Sequence, residues 1–223
     1  IIMGNFNYPS NKCKNCQYCK KLNLFKRTIA TIGPKGIITG LKIKEIETIL
    51  NFYRQHGEGY RKKLPQQTFP PESTVSYEEN AKEKALFISQ QLPAAKIIAD
   101  DSGLELPAFP GRYGVQTARE LAQEVPNGDL NDYLIHLVDG KSRQFIMKTT
   151  IALAINNQVV KIGHGQLKGT IAHAERGVNA TGFDRIFIPA GESQTLAEMD
   201  QPPRISYLHR ARAVKNLLDQ LGE

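Results

Sequence analysis

Residues Ile97–Glu105 read Ile-Ile-Ala-Asp-Asp-Ser-Gly-Leu-Glu, an apolar run that breaks into two adjacent acids followed by Ser-Gly. A buried strand favours β-branched residues, and the carboxylates Asp100 and Asp101 are costly to desolvate unless they open into a groove or gain a cation. The pattern has two readings, a polar turn closing a strand or a metal site at the strand's end. Other residues with chemistry to offer stand on predicted helices. Lys84 lies beside the apolar stripe Ala81, Ala85, Ile88 and Leu92, either as a snorkelling surface lysine or as a phosphate ligand. His209 and Arg210 fall in the first turn of a C-terminal helix, where backbone donors and a guanidinium can bind phosphate, or where they form a solvated cluster.

The three cysteines, Cys13, Cys16 and Cys19, form a Cys-x2-Cys-x2-Cys array. Structural zinc wants four ligands and the array offers three, so metal binding would recruit a distant residue such as His56 or a second subunit. A redox or disulfide role and incidental free thiols are the alternatives. The array sits in a basic segment: residues 1–36 carry Lys12, Lys14, Lys20, Lys21, Lys26, Arg27 and Lys35 and no acid, which equals the net charge of +7 (29 basic minus 22 acidic) for the whole chain. Residues 37–223 therefore balance to zero. A basic arm joined to a neutral body fits either contact with nucleic acid or another polyanion, or a solvated extension.

The elements that must position the chemistry alternate between α and β signals. Ile37-Ile38 leads into Thr39–Leu50, a strand turning into an amphipathic helix with Lys44 near its start. Pro65–Glu72 is loop-like, and Ser76-x-x-Glu79 is a capping box that opens a helix running to about Leu92. Ile97–Ala99 is a strand, followed by a loop rich in glycine and proline with Pro107, Pro110, Gly111 and Gly114. Phe145–Ile155 and Gln158–Gly165 flank Asn156-Asn157 as a hairpin, and Gly169–Ile171 continues the sheet. Gly182-Phe183-Asp184 precedes the strand Ile186–Ile188, and a Leu-rich helix spans about Ser206 to Leu221.

With 223 residues, 40% hydrophobic and 23% charged, the chain is long enough for one large α/β domain or two lobes sharing a cleft. No apolar run approaches the roughly 20 residues of a membrane helix. The first residues lack a basic region leading into an apolar one, which predicts a cytoplasmic location.

Taken in order, these pieces resemble the Ham1 family of nucleoside triphosphate pyrophosphatases. Thr39–Glu47 resembles the family's Thr-Gly-Asn-x-x-Lys-x-x-Glu, and Glu72 through Ala85 resembles its Glu-x-Gly-x-Ser/Thr-Phe-x-Glu-Asn-Ala-x-x-Lys-Ala. Ala99–Glu105 matches Ala-Asp-Asp-Ser-Gly-Leu-Glu unchanged, and Gly111–Arg119 is similar to Gly-x-Pro-Gly-Val-x-Ser-Ala-Arg with Tyr113 and Thr117 substituted. Gly182–Phe187, Thr195–Glu198 and His209–Ala213 follow as the closing blocks. The resemblance covers about residues 37–221, which divides the chain into a 1–36 extension and a 37–223 catalytic domain.

The resemblance implies an α/β fold, a long bent mixed sheet with flanking helices forming two lobes around a nucleotide cleft, acting as a homodimer on a purine nucleoside triphosphate with Mg²⁺. By resemblance Glu72 and Asp101 hold Mg²⁺, Asp101 is the general base, and Asp100 supports the metal shell. Lys44, Lys84, Ser102 and Arg210 reach phosphate oxygens, and His209 and Asp184 face the base edge. Thr39, Phe183 and Arg204 complete the substrate-binding positions. A triphosphate carries three to four negative charges, so such a site needs a divalent cation, basic donors and a carboxylate that activates water.

Departures from the family pattern cluster at the substrate. Leu41 replaces the opening Asn, Thr181 the ring expected to stack on the base, Arg204 a Lys, and Leu208 the Ser before His-Arg. The metal and water machinery is retained while the base pocket is rewritten, which fits an active pyrophosphatase of shifted preference. A catalytically weak nucleotide-binding or regulatory relative, and a nucleic-acid-associated protein docked by its basic arm, are the competing function classes.

Overall fold

The computed structural model describes residues 36–39 and 42–222. Residues 1–35, which hold the basic charges and the cysteine array of the arm, and Leu41 lie outside the described residues.

Eleven main elements follow one another: β1 (Gly36–Thr39), α1 (Ile43–Phe52), β2 (Gly57–Gly59), α2 (Tyr77–Gln91), β3 (Ile97–Glu105), α3 (Thr117–Glu124), α4 (Leu130–Leu137), β4 (Gln144–Ile155), β5 (Gln158–Ile171), β6 (Phe187–Pro189) and α5 (His209–Leu221). The strands form one sheet in the order β2-β1-β3-β4-β5-β6. β1 pairs in parallel with β2 and β3, while β3–β4, β4–β5 and β5–β6 are antiparallel. This is the mixed α/β sheet with flanking helices expected from the sequence. Among the described residues no helix is long and apolar enough to cross a membrane.

Local signals set the boundaries. Ser76 Oγ accepts the Glu79 amide at 3.1 Å and starts α2. Asn156 and Asn157 take φ of 51° and 59°, the left-handed pair that a two-residue hairpin turn demands and that Asn tolerates. Strand β3 departs from expectation. It does not stop at Ala99 but runs through Glu105, because β4 pairs with every residue from Ile97 to Glu105. The two acids therefore lie inside a strand rather than in a turn after it.

That extension decides which way each side chain points, since strand neighbours alternate faces. Ile97 and Ala99 pack with Ala81, Ala85 and Ile88 of α2 in one apolar cluster, while Ile98 and Leu104 join Ile46 and Ile49 of α1 and Val214 and Leu217 of α5 in another. The sheet thus separates an α2 face from an α1/α5 face. α5 lies close on its face because Gly165 of β5 has no Cβ; one added there would come within 2.1 Å of the His209 carbonyl oxygen.

Candidate active site

Asp101 faces α2. Its Oδ1 accepts Lys84 Nζ at 2.7 Å and its Oδ2 accepts Asn80 Nδ2 at 3.1 Å. Lys84 Nζ also donates to Glu72 Oε1 at 3.0 Å, so one ammonium bridges the two carboxylates. Burial pushes the Asp101 carboxyl above its ordinary value despite the counter-pull of Lys84. Burial works against the charge on Lys84, yet Asp101 and Glu72 outweigh it and hold the ammonium above its usual range. Glu72 sits on the loop before α2 and is fixed from behind: Arg119 of α3 donates to the backbone oxygens of Glu72 and Ser73 at 3.3 and 3.2 Å, and Asn80 exchanges hydrogen bonds with the Ser73 backbone at 2.7 and 3.1 Å.

Asp100 faces the other way, among α5 and α1. Its Oδ2 accepts Arg210 Nε at 2.8 Å and the Ser102 hydroxyl at 3.2 Å. Arg210 also reaches Glu45 Oε2 at 3.5 Å. Ser102 shares a 2.7 Å hydrogen bond with Thr149, whose hydroxyl bonds His209 Nδ1. Burial, then the neighbouring Arg210 and Lys42, hold the His209 imidazole well below its usual pKa, so it is neutral. Asp100 thus contacts neither Glu72 nor Lys84. Placement of adjacent acids within a strand sends it to the face opposite Asp101, where it anchors an arginine.

The α1/α5 face opens into a cleft of about 830 Å³, lined by Lys42 just before α1, Lys44 and Glu45 of α1, Ser102 and Gly103, the 180–184 segment, and Arg204, His209 and Arg210. Ser102 and Gly103 directly follow Asp101 in β3, whose carboxylate stands on the other face of the strand, outside the lining of the cleft. At the far end Arg204 pairs with Asp184, and Phe183 stands 5.4 Å from Phe187 in a tilted ring contact. Burial pushes the Asp184 carboxyl up to about 6, against the pull of Arg204. Arg204 Nε is buried without a partner, as is the Thr39 hydroxyl at the end of β1.

Sequence-predicted residues therefore assemble into two groups divided by β3. Glu72, Lys84 and Asp101 meet on the α2 face. Ser102, His209 and Arg210 meet around Asp100 on the other, with Lys44, Phe183, Asp184 and Arg204 along the same cleft. Arg119, Thr149 and Glu45 were missed as site residues. Arg119 closed a quoted motif block and so had a signal; the Thr149–His209 bond joins residues 60 apart and had none.

No three acids, histidines or cysteines cluster as a metal cage among the described residues. Mg²⁺ does not need one, since it is commonly held by one or two carboxylates together with substrate phosphates and water. The convergence of Glu72 and Asp101 on a single ammonium meets that requirement.

The Ham1 family matches residues 39–220. A protein of Limosilactobacillus reuteri named dihydroneopterin triphosphate diphosphatase is 98% identical over 182 residues, covering 82% of this chain and 93% of the relative. A dITP/XTP pyrophosphatase of Deinococcus deserti is 34% identical over 195 residues, covering 83% and 90%. Among solved structures, a Ham1 protein from Coxiella burnetii shares the fold with a TM-score of 0.69 at 24% identity, covering 85% of this chain and 98% of that one. The nucleoside-triphosphatase, or dITP/XTP pyrophosphatase, of Mycobacterium abscessus gives a TM-score of 0.60 at 28% identity, covering 82% and 98%. With a family match across most of its length and relatives of this similarity, the chain belongs to the Ham1 family.

Proposed function

We propose that this protein is a metal-assisted pyrophosphatase that cleaves dihydroneopterin triphosphate to its monophosphate ester and pyrophosphate. The observation that carries the reading is the paired carboxylates Glu72 and Asp101 on one cation, at 3.0 and 2.7 Å, across β3 from a cleft set with Lys42, Lys44, Arg204 and Arg210. Such a combination fits a polyanionic ester with its reacting phosphate at the carboxylate end. The near-identical relative supports the substrate. A pterin ester carries an open trihydroxypropyl chain in place of ribose, and Thr181 offers a hydroxyl on the cleft wall where the family pattern has a ring.

Glu72 and Asp101 would hold Mg²⁺. The ion, when bound, neutralises phosphate oxygens and acidifies a bound water. Asp101 accepts the proton of the attacking water, and Asn80 fixes its orientation. Water adds to phosphorus as the bridging P–O bond breaks and pyrophosphate leaves. Lys84, released from the carboxylates, moves to a phosphate oxygen, and Arg210 and Ser102, held by Asp100, meet the remaining phosphates. Asp184, Arg204, Phe183 and the neutral His209 form the base end. The reading retains the homodimer expected from the resemblance, which light scattering of the purified protein checks.

The test is the kcat/KM of the wild-type protein for dihydroneopterin triphosphate against dITP, XTP, GTP and ATP with Mg²⁺. The pterin triphosphate is expected to lead. Preference for dITP or XTP would remove the substrate assignment while keeping the pyrophosphatase, and no turnover of any of them would remove both.

A further inference from the structure

The base end of the cleft is built on a short turn, Gly182–Arg185, that carries Phe183 and Asp184 and begins with a glycine at φ 63°. What holds this turn is a buried amide on another element. Asn131, in the first turn of α4, is 5% exposed, and its Nδ2 donates both to the Gly182 carbonyl at 2.9 Å and to Glu175 Oε1. Glu175 in turn pairs with Arg185 Nη1 at 2.6 Å. Both ends of the turn are thereby tied to one side chain. Asn131 is itself fixed, because Asp129 caps α4 and accepts its backbone N–H at 2.8 Å.

The residue type matters. An amide NH₂ supplies two donors and can satisfy a carbonyl and a carboxylate at once, whereas a hydroxyl has one proton to give and a carboxylate none. Gly182 is solvent-exposed, so water can take over its carbonyl if the amide is lost. The chain then stays folded, but the turn is no longer held to one arrangement.

We infer that Asn131 is a positioning residue for substrate specificity, fixing Phe183 and Asp184 against Arg204 through the Gly182 carbonyl and the Glu175–Arg185 pair. It touches neither substrate nor metal. The inference rests on the reading of this end of the cleft as the seat of the base.

Two variants test it, Asn131→Ala and the double variant Asn131→Asp with Glu175→Gln. In the double variant the bridge between positions 131 and 175 is remade with donor and acceptor exchanged, while nothing at 131 can donate to the Gly182 carbonyl. The readout is the ratio of kcat/KM between dihydroneopterin triphosphate and dITP, which does not depend on the fraction of enzyme folded. Both variants should raise KM for the preferred substrate on the order of tenfold, the scale of one lost hydrogen bond, and compress the ratio by a similar factor. kcat should change by less than about threefold, because Asp101 and Glu72 are untouched. An unchanged ratio in the alanine variant would overturn the inference. So would a wild-type ratio in the double variant, which would make the amide a structural bridge to Glu175 alone, or failure of both variants to fold. Failure of the underlying functional reading is distinct, since it appears in the wild-type protein as absent turnover of both triphosphates.

Discussion

Asp100 and Asp101 are adjacent in the chain, yet their carboxylates sit on opposite faces of β3: Asp100 Oδ2 lies 2.8 Å from Arg210 Nε, and Asp101 Oδ1 lies 2.7 Å from Lys84 Nζ. One strand thereby supplies an acid to Lys84 on the α2 face and an acid that anchors Arg210 on the cleft face.

The two asparagine variants should therefore fail differently. On the proposed mechanism Asp101→Asn removes a metal charge and the proton acceptor without changing volume, and turnover should fall by about 10²–10⁴-fold with the fold intact. Asp100→Asn takes the charge partner from a buried arginine and should cost about 3 kcal/mol of stability while leaving measurable turnover at a raised KM. Urea denaturation and steady-state pyrophosphate release check the pair. Parallel losses of stability and turnover in both variants would contradict the division of roles.

Asp184 predicts a pH effect on substrate binding. Its carboxyl is raised to about 6 by burial, against Arg204 and Lys42 and with Glu45 adding to the rise. Above that value it is ionised and holds Arg204 at that end of the cleft; below it the proton cancels the pair. KM should rise about tenfold as pH falls from 7 to 5, and Asp184→Asn should flatten this part of the profile. Substrate phosphate ionisation is common to both proteins, so the difference between the two profiles isolates Asp184. Coincident profiles would sink the assignment.

Much of this arrangement was legible in the sequence. The Ser76 cap, the Asn156-Asn157 hairpin and the apolar stripe of α2 are local signals, and each appears where its residues stand. Other features depended on partners distant in the chain. The sequence Gly-Glu-Gly of β2 has no strand character and is recruited by parallel pairing with β1. The polar second half of β3 is extended because β4 accompanies it, and that pairing decides which acid meets which cation. α3 and α4 are 8 residues each, short enough to be lost in a stretch rich in glycine and proline, although Asp129 followed by Leu130, Tyr133, Leu134 and Leu137 carried a helical period. The ligand groups were readable as residue types, but their division between two faces was not.

Arg119 reaches the loop that carries Glu72, with its guanidinium on two backbone oxygens and 3.7 Å from Glu72 Oε2. Arg119→Ala should leave the carboxylate in place chemically but less well oriented. The Mg²⁺ concentration giving half-maximal activity should rise about 10-fold or more, within the range of losses seen when groups supporting metal ligands are removed. A Mg²⁺ titration of initial rate measures it, and an unchanged midpoint would show that the loop orients itself.

Gly103 marks where β3 meets the loop before α3. A Cβ there would stand 1.9 Å from the Gly114 carbonyl oxygen and 2.8 Å from the Tyr77 hydroxyl, and the first of these is backbone that cannot rotate away. Gly103→Ala should cost about 1–3 kcal/mol by forcing strand and loop apart, read as a lowered denaturation midpoint. Wild-type stability in that variant would mean that the loop yields freely.

The most direct test of the central claim is a ³¹P NMR record of the products formed when the wild-type protein turns over dihydroneopterin triphosphate with Mg²⁺. The account predicts pyrophosphate and the monophosphate ester in equal amounts, with no orthophosphate. Orthophosphate together with the diphosphate ester, or an unchanged triphosphate spectrum, would contradict it.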